Sequence, residues 1–333
     1  MALIATGCKS NTTNLPMNIL VFGKDGQLGK AFKTLFNGTE LPSEVHIQYV
    51  GRAECDLSNG DALNALLVKE KPNLIINASA YTAVDKAETE IDMAYAINAR
   101  APEFMAQYAA QNGSTFLHYS TDYVFDGSKD GWYVESDERN PLGIYGKSKA
   151  TGEIAIEKAF TNSPLGQFAI FRTSWVYGDG GNFIRTMLRL AKDREELKVI
   201  HDQHGVPTSA NWLARVSFNL SLDEHFKIRQ FASGIYHAIP AGETTWHGLA
   251  CLAIQAALDA GIQLKAKPEA IKPILAIEYP LPAPRPMNSR MDSAKLQHAL
   301  VKSTGMSKLG AFNEPWSVNV QRYVQALAKD GLI

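Results

Sequence analysis

The stretch "MNILVFGKDGQLGKAFKTLF" (17–36) restricts the fold of this chain more than any other. Six apolar-rich residues, Met17–Phe22, run straight into glycines at 23, 26 and 29, and helical spacing follows. That order spells strand, tight turn, helix. The alternation recurs. "VHIQYV" (45–50) reads as a second strand, Asp61–Lys71 as a helix and "NLIINAS" (73–79) as a third strand. Residues 92–113 form a long helix closed by Gly113, and "STFLHYS" (114–120) is a fourth strand. Tyr145–Phe160 is another helix and "FAIFRTSWVYG" (168–178) another strand. Strands alternating with helices predict an α/β chain with a doubly wound parallel sheet, covered on both faces and joined by right-handed crossovers.

Beyond about Gly178 the pattern loosens, and the proline-rich "EYPLPAPRPMNSRMD" (278–292) suits neither helix nor central strand. It reads as an extended loop over the surface. The expected division is a disordered leader over 1–16, a nucleotide-binding domain over 17–178, and mainly a smaller C-terminal substrate-binding lobe over 179–333. Later segments are free to return to the first domain. "LIATGC" in the leader faintly resembles a lipoprotein cleavage site, but no basic start or long apolar core precedes it.

The 333 residues carry a formal net charge of −1, so no global field gathers nucleic acid or an anionic membrane surface. Cys8, Cys55 and Cys251 are too scattered for a disulfide framework or a paired-cysteine metal site, and they suit a reducing cytoplasm. No apolar run approaches the roughly 18 residues of a membrane span.

Ligands of such sheets bind beyond the carboxyl ends of the strands, which gathers Gly23, Ser79, Thr121 and Trp175 around one crevice. The turn Gly23, Lys24, Gly26, Gln27, Leu28, Gly29 has the place of a pyrophosphate cradle, where backbone and a helix N-terminus meet the phosphates. Its spacing is looser than the usual dinucleotide fingerprint, so its position after a strand carries the assignment. After the second strand, Arg52 and Lys24 point towards the 2′-phosphate of NADPH; a solvated surface role for either stays open. Asp56, with Leu57 beside it, suits the adenine edge, and use of NADH stays open.

Tyr145 and Lys149 lie four apart, on one face of a helix. A phenol ordinarily titrates near ~10 and needs a cation close by to exchange protons at neutral pH. Such pairs are common on solvated helices, so the meaning of this one depends on the glycine turn and on Thr121, at the end of the fourth strand. Thr121 is placed to hydrogen-bond a substrate carbonyl beside the phenol; Ser120 is the less favoured choice.

Glycine turn, Thr121, Tyr145 and Lys149 together resemble the extended short-chain dehydrogenase/reductase superfamily, with its Rossmann-like sheet. Sugar dehydratases of that group carry Asp–Glu after the threonine. Here Asp122 is followed by Tyr123, which argues for simple reduction. The blocks "NASAYTAVDKAE" (77–88), "HYSTDYVFDG" (118–127), "FRTSWVYG" (171–178), "NFIRTMLRLAK" (182–192), "DQHGVPT" (202–208) and "RPMNSRMD" (285–292) resemble, in that order, the dTDP-4-dehydrorhamnose reductase family. The likeness runs from Met17 to the C-terminus. It implies NADPH-dependent reduction of dTDP-4-dehydro-L-rhamnose at C4, giving dTDP-L-rhamnose for cell-surface polysaccharide.

The resemblance also implies roles. Tyr145 is the proton donor, Lys149 tunes it and holds the nicotinamide ribose, and Thr121 orients the carbonyl. Asn77, Ala78 and Ala80 line the cofactor side. Asp122, Tyr123 and Trp175 lie by the sugar, and Gln203 is a candidate ligand contact. Arg285, Asn288, Ser289 and Arg290 are placed to bind thymidine diphosphate; a proline-rich loop pinned by polar bonds is the alternative.

Some relatives hold Mg²⁺ at a dimer interface through glutamates. The corresponding positions here are Ala31, Asn211 and Ser317, which offer a hard cation no carboxylate. No metal is therefore expected, and the chain is expected to be a monomer or weak dimer. His201 and His204 alone make a poor metal site, and His237 and His247 read as structural or substrate-lobe residues. Two other readings stay open: another nucleotide-sugar ketoreductase or epimerase, and a non-catalytic regulator like the beta subunit of methionine adenosyltransferase.

Overall fold

The computed structural model describes residues 16–163, 165–305 and 309–333; apart from Pro16, the expected leader lies outside the described residues. Five strands carry the alternation: β1 (Met17–Phe22), β2 (Val45–Val50), β3 (Leu74–Asn77), β4 (Thr115–Thr121) and β5 (Gln167–Thr173). A sixth, β6 (Gly234–His237), joins beyond β5 from far along the chain. Every pairing is parallel, in the order β2-β1-β3-β4-β5-β6. β4 and β5 are buried along their whole length, as strands covered on both faces must be. The chain leaves β1 for β2 on one side while β3 flanks it on the other. That makes a switch point, with a crevice above the β1 and β3 ends.

Helices α1 (Gln27–Asn37), α2 (Gly60–Glu70), α3 (Ala101–Asn112) and α4 (Ile144–Asn162) alternate with these strands. Later come α5 (Phe183–Asp193), α6 (Ala210–Ser221), α7 (Trp246–Asp259), α8 (Ala294–Thr304) and α9 (Trp316–Lys329). On one sheet face Ile19, Val21 and Leu117 pack with Phe32 and Phe36 of α1, Leu213 of α6 and Leu296 of α8. On the other, Leu20, Ile75 and Phe116 pack with Leu63 of α2, Met105 of α3 and Ile156 of α4. A third cluster excludes the sheet and joins α5, α7 and α9 through Leu188, Ile254 and Val324. The two-stranded ladder of Leu197–Ile200 with Ile271–Ile274 belongs to it.

The expected helix over 92–113 is interrupted. Its first turn, Ile91–Tyr95, passes into a π-helical turn, Ala96–Arg100, before α3. Pro102 has no N–H for the Asn98 carbonyl. Gly152 of α4 lies so close to that oxygen that a Cβ would stand 2.2 Å from it. Gly113 closes α3 in a left-handed conformation, at φ 72°.

Two expectations need correction. The strand read over 168–178 ends at Thr173: Trp175 turns left-handed at φ 48°, and Val176–Tyr177 pairs instead with Thr208–Ser209. The proline-rich segment is not simply spread over the surface. Ala283, Asn288, Ser289 and Met291 are buried, and Met291 bridges to Tyr133. Backbone bonds to His204 at 2.7 and 2.9 Å hold it in.

Candidate active site

Above the carboxyl ends of β1 to β5 opens a cleft of about 1020 Å³. Gly23, Ser79, Thr121 and Trp175 all line it. Gly23 adopts φ 83°, and a Cβ there would stand 2.7 Å from the Ala78 carbonyl and the Ser79 nitrogen. A Cβ on Gly29 would meet the Gly23 carbonyl at 2.0 Å. Gly26 is different: its nearest protein atom would be 3.4 Å away, so the fold alone does not require glycine there. Gly26 stands at the start of α1 with no side chain capping the helix, which leaves amide donors facing the cleft.

Gly23, Gly26, Gln27, Leu28, Arg52, Asp56, Leu57, Ala78, Ala80, Tyr145 and Lys149 line the cleft from the proposed cofactor set. Lys24, Gly29 and Asn77 do not line it. Lys24 is bound by Glu54, whose other oxygen accepts from the Gly51 N–H at 2.8 Å. Glu54 thus claims the cation that the sequence offered to a phosphate. Arg52 keeps an 81% exposed side chain, 4.0 Å from Asp56. Asp56 itself accepts from Ser58 N and Oγ at 3.0 and 2.8 Å.

β4 carries Thr121 to the cleft. Thr121 caps a short 3₁₀ turn, accepting the Tyr123 N–H at 3.2 Å and donating to Asp122 Oδ1 at 2.9 Å. Ser289 Oγ donates to the other Asp122 oxygen, which ties the proline-rich segment to β4. Burial pushes the Asp122 carboxyl up to about 6 against these two hydrogen bonds. Tyr123 meets Tyr145 edge-on, with ring centroids 5.4 Å apart. Burial, opposed by a Thr121 hydrogen bond and helped by the Asp122 charge, pushes Tyr145 up to about 12. Lys149 is not aimed at that phenol. Its Nζ donates to the Tyr119 carbonyl at 2.5 Å and lies 3.2 Å from His118 Nε2.

Thr121, Asp122, Tyr123 and Trp175, the residues expected beside the sugar, all line the cleft. Trp175 stacks on Trp246 at 3.7 Å, and a Cβ on Gly205 would touch the Trp175 ring at 2.7 Å. Trp246 also lines the cleft and went unnoticed in the sequence. Gln203 sits behind it, accepting the Trp246 indole N–H at 3.2 Å. The four residues of the proline-rich segment do not line the cleft but are spent on protein partners. Arg285 makes two bonds of 2.9 Å to Asp85, and Asn288 donates to the Lys129 and Gly131 carbonyls at 2.8 and 2.7 Å. Arg290 donates to Asn288 Oδ1 at 2.8 Å, and Ser289 holds Asp122. Each distance matches the pinned-loop alternative.

Asn98 was also missed. From the π turn it accepts the Tyr81 N–H at 2.9 Å and donates to the Tyr81 carbonyl and Ser148 Oγ at 3.0 Å each. It therefore clasps the loop after β3 to the helix of Tyr145. A buried asparagine inside a helical pattern gives no sequence signal of that kind. Among the described residues, no three His, Cys, Asp or Glu side chains gather as metal ligands.

A family model described as "RmlD substrate binding domain" matches residues 17–326. The dTDP-4-dehydrorhamnose reductase of Shigella flexneri is 41% identical over 326 residues, covering 93% of this chain and 98% of that protein. Two solved dTDP-4-dehydrorhamnose reductases share the fold. One, from Clostridium acetobutylicum, has a TM-score of 0.79 at 33% identity; the other, from Bacillus anthracis in complex with NADP, scores 0.75 at 30%. Each alignment covers 93% of this chain and 99% of the other. A cleft so built, on a chain matched over residues 17–326, makes this protein a member of the dTDP-4-dehydrorhamnose reductase family.

Proposed function

We propose that the chain reduces the C4 keto group of dTDP-4-dehydro-L-rhamnose to give dTDP-L-rhamnose, with NADPH as the reductant. One observation carries the reading: Thr121, Tyr145 and Lys149 stand together at the end of a cleft whose other end is the Gly23 turn. The residues suit the cofactor. A Cβ would fill the Gly23 cradle, and the buried Thr173 hydroxyl, which lines the cleft, has no protein partner. Gly23, Gly26, Gln27 and Leu28 would hold the diphosphate and Arg52 the 2′-phosphate, while Ala78, Ala80 and Lys149 would face the nicotinamide half.

When bound, NADPH supplies a hydride to the carbonyl carbon of the sugar. The protein supplies the proton. Reduction needs a neutral phenol at the carbonyl oxygen, and burial keeps Tyr145 protonated throughout the neutral range. Thr121 orients that oxygen, and an ammonium on Lys149 steadies the phenolate left behind. Tyr123 on one side and the stacked Trp175 and Trp246 on the other form aromatic walls suited to a sugar ring.

The reading places the chain in a reducing cytoplasm as a monomer or weak dimer that needs no metal. No described helix is long and apolar enough to cross a membrane. Product analysis tests the reaction. Incubation with NADPH and dTDP-4-dehydro-L-rhamnose should give dTDP-L-rhamnose with matching release of NADP⁺. An epimerised ketosugar without cofactor turnover would replace this reading with the epimerase one.

A further inference from the structure

His118 lies inside β4, fully buried, and the reaction as described makes no use of it. Its two ring nitrogens meet two different groups, and the protons can be assigned one by one. Asn77, at the end of β3, accepts at Oδ1 from the Ser79 N–H at 3.2 Å and the Ser79 hydroxyl at 2.5 Å. A backbone N–H only donates, so the amide oxygen must face Ser79 and the amide nitrogen must face His118 Nδ1, at 3.1 Å. An amide NH₂ offers no acceptor, so Nδ1 carries no proton and the neutral ring holds its proton on Nε2. That N–H points at Lys149 Nζ, 3.2 Å away. An ammonium cannot accept it; a neutral amine can, while still donating to the Tyr119 carbonyl at 2.5 Å.

Lys149 therefore has two destinations: the His118 and Tyr119 pair at the back, and the cleft it also lines. We propose that His118, fixed by Asn77 and Ser79, is a positioning residue that parks Lys149 as a neutral amine before cofactor binds and gives it up to the cleft as an ammonium when cofactor arrives. The amine takes one proton from solvent in that step, and His118 keeps its own on Nε2. The inference rests on the cofactor reading above, because an arriving ribose is what draws the lysine forward.

The charged surroundings are few. On its own helix Lys149 has Glu153, which favours the ammonium, and Tyr145; Glu153 is shared with Arg172 of β5 and with Arg139. Asp122 stands beyond Tyr145. Burial outweighs Glu153 and brings Lys149 down to about 8, so the parked neutral amine is the main form above that pH. Burial holds His118 well below its ordinary value, consistent with a neutral ring.

Calorimetry of NADP⁺ binding at pH 9, in buffers of different ionisation enthalpy, tests this. At that pH Tyr145, raised by burial to about 12, stays protonated. Wild-type protein should take up about one proton per NADP⁺. His118→Phe, which keeps a flat ring without the N–H, should take up less than about half as much. Binding without proton uptake, or equal uptake in the variant, overturns this proposal alone. Absence of NADP⁺ binding overturns the cofactor reading and this one with it. Should the variant not fold, long-range ¹H–¹⁵N correlation on cofactor-free wild-type protein decides: a proton on Nε2 of His118 supports the proposal, and one on Nδ1 overturns it.

Discussion

Burial raises both Tyr145 and Asp122, to different ends. As the proposed proton donor, Tyr145 gives its proton only when charge develops on the sugar oxygen, so Tyr145→Phe should lower kcat by about 10²–10⁴-fold. NADPH affinity should change little, and fluorescence titration beside turnover separates the two. Asp122 is costly to the folded state whenever it is ionised. Its folded value of about 6 lies above the ordinary one, so the stability it contributes is present below about pH 4 and lost as pH rises through about 6. Asp122→Asn retains partners for Thr121 and Ser289 without the charge. It should stabilise the protein by up to about 3 kcal/mol at pH 8, with the gain vanishing near pH 4 in denaturant melts. A constant gain across that range would contradict a raised Asp122. The proposed pair, Tyr145 and Lys149, was legible in the sequence because its helical spacing is local. His118 was not, because it reads as one more polar residue in a strand until Asn77 of β3 and Lys149 of α4 are brought to it.

The strand, turn and helix at 17–37 were read almost to the residue, because periodicity and glycines are local signals. Where an element ends for a distant reason, the reading failed. Trp175 breaks its strand while stacked on Trp246 and lying against Gly205. The proline-rich segment is drawn inward by Asp85, Asp122 and His204, none of them near it in sequence. β6 escaped notice because four residues, "GIYH", carry too little pattern to stand out. The glycine turn gives the sharpest test at this scale. Gly26→Ala has room, so it should melt within about 0.5 kcal/mol of wild type while weakening NADPH binding. Gly23→Ala, with φ 83° and a blocked Cβ, should lose about 1–3 kcal/mol of stability as well. Equal melting losses in both would mean that the two glycines serve the fold alone.

Across the whole molecule, the sheet presents the cleft from its carboxyl ends, and α5, α7 and α9 close the far side through Trp175 and Trp246. Helix–strand alternation revealed the sheet; the third cluster, assembled from segments spread over residues 175–333, had no comparable local signature. Ala31, Asn211 and Ser317 offer a divalent ion no carboxylate, so prolonged EDTA treatment should leave turnover unchanged. Loss of activity restored by Mg²⁺ would contradict that expectation. The central claim is tested most directly by following reduced-nicotinamide absorbance with dTDP-4-dehydro-L-rhamnose generated in place, using NADPH and NADH in parallel. Sugar-dependent oxidation, faster with NADPH at limiting cofactor and yielding dTDP-L-rhamnose, is the predicted result. No sugar-dependent oxidation by a protein that binds NADPH would contradict the account.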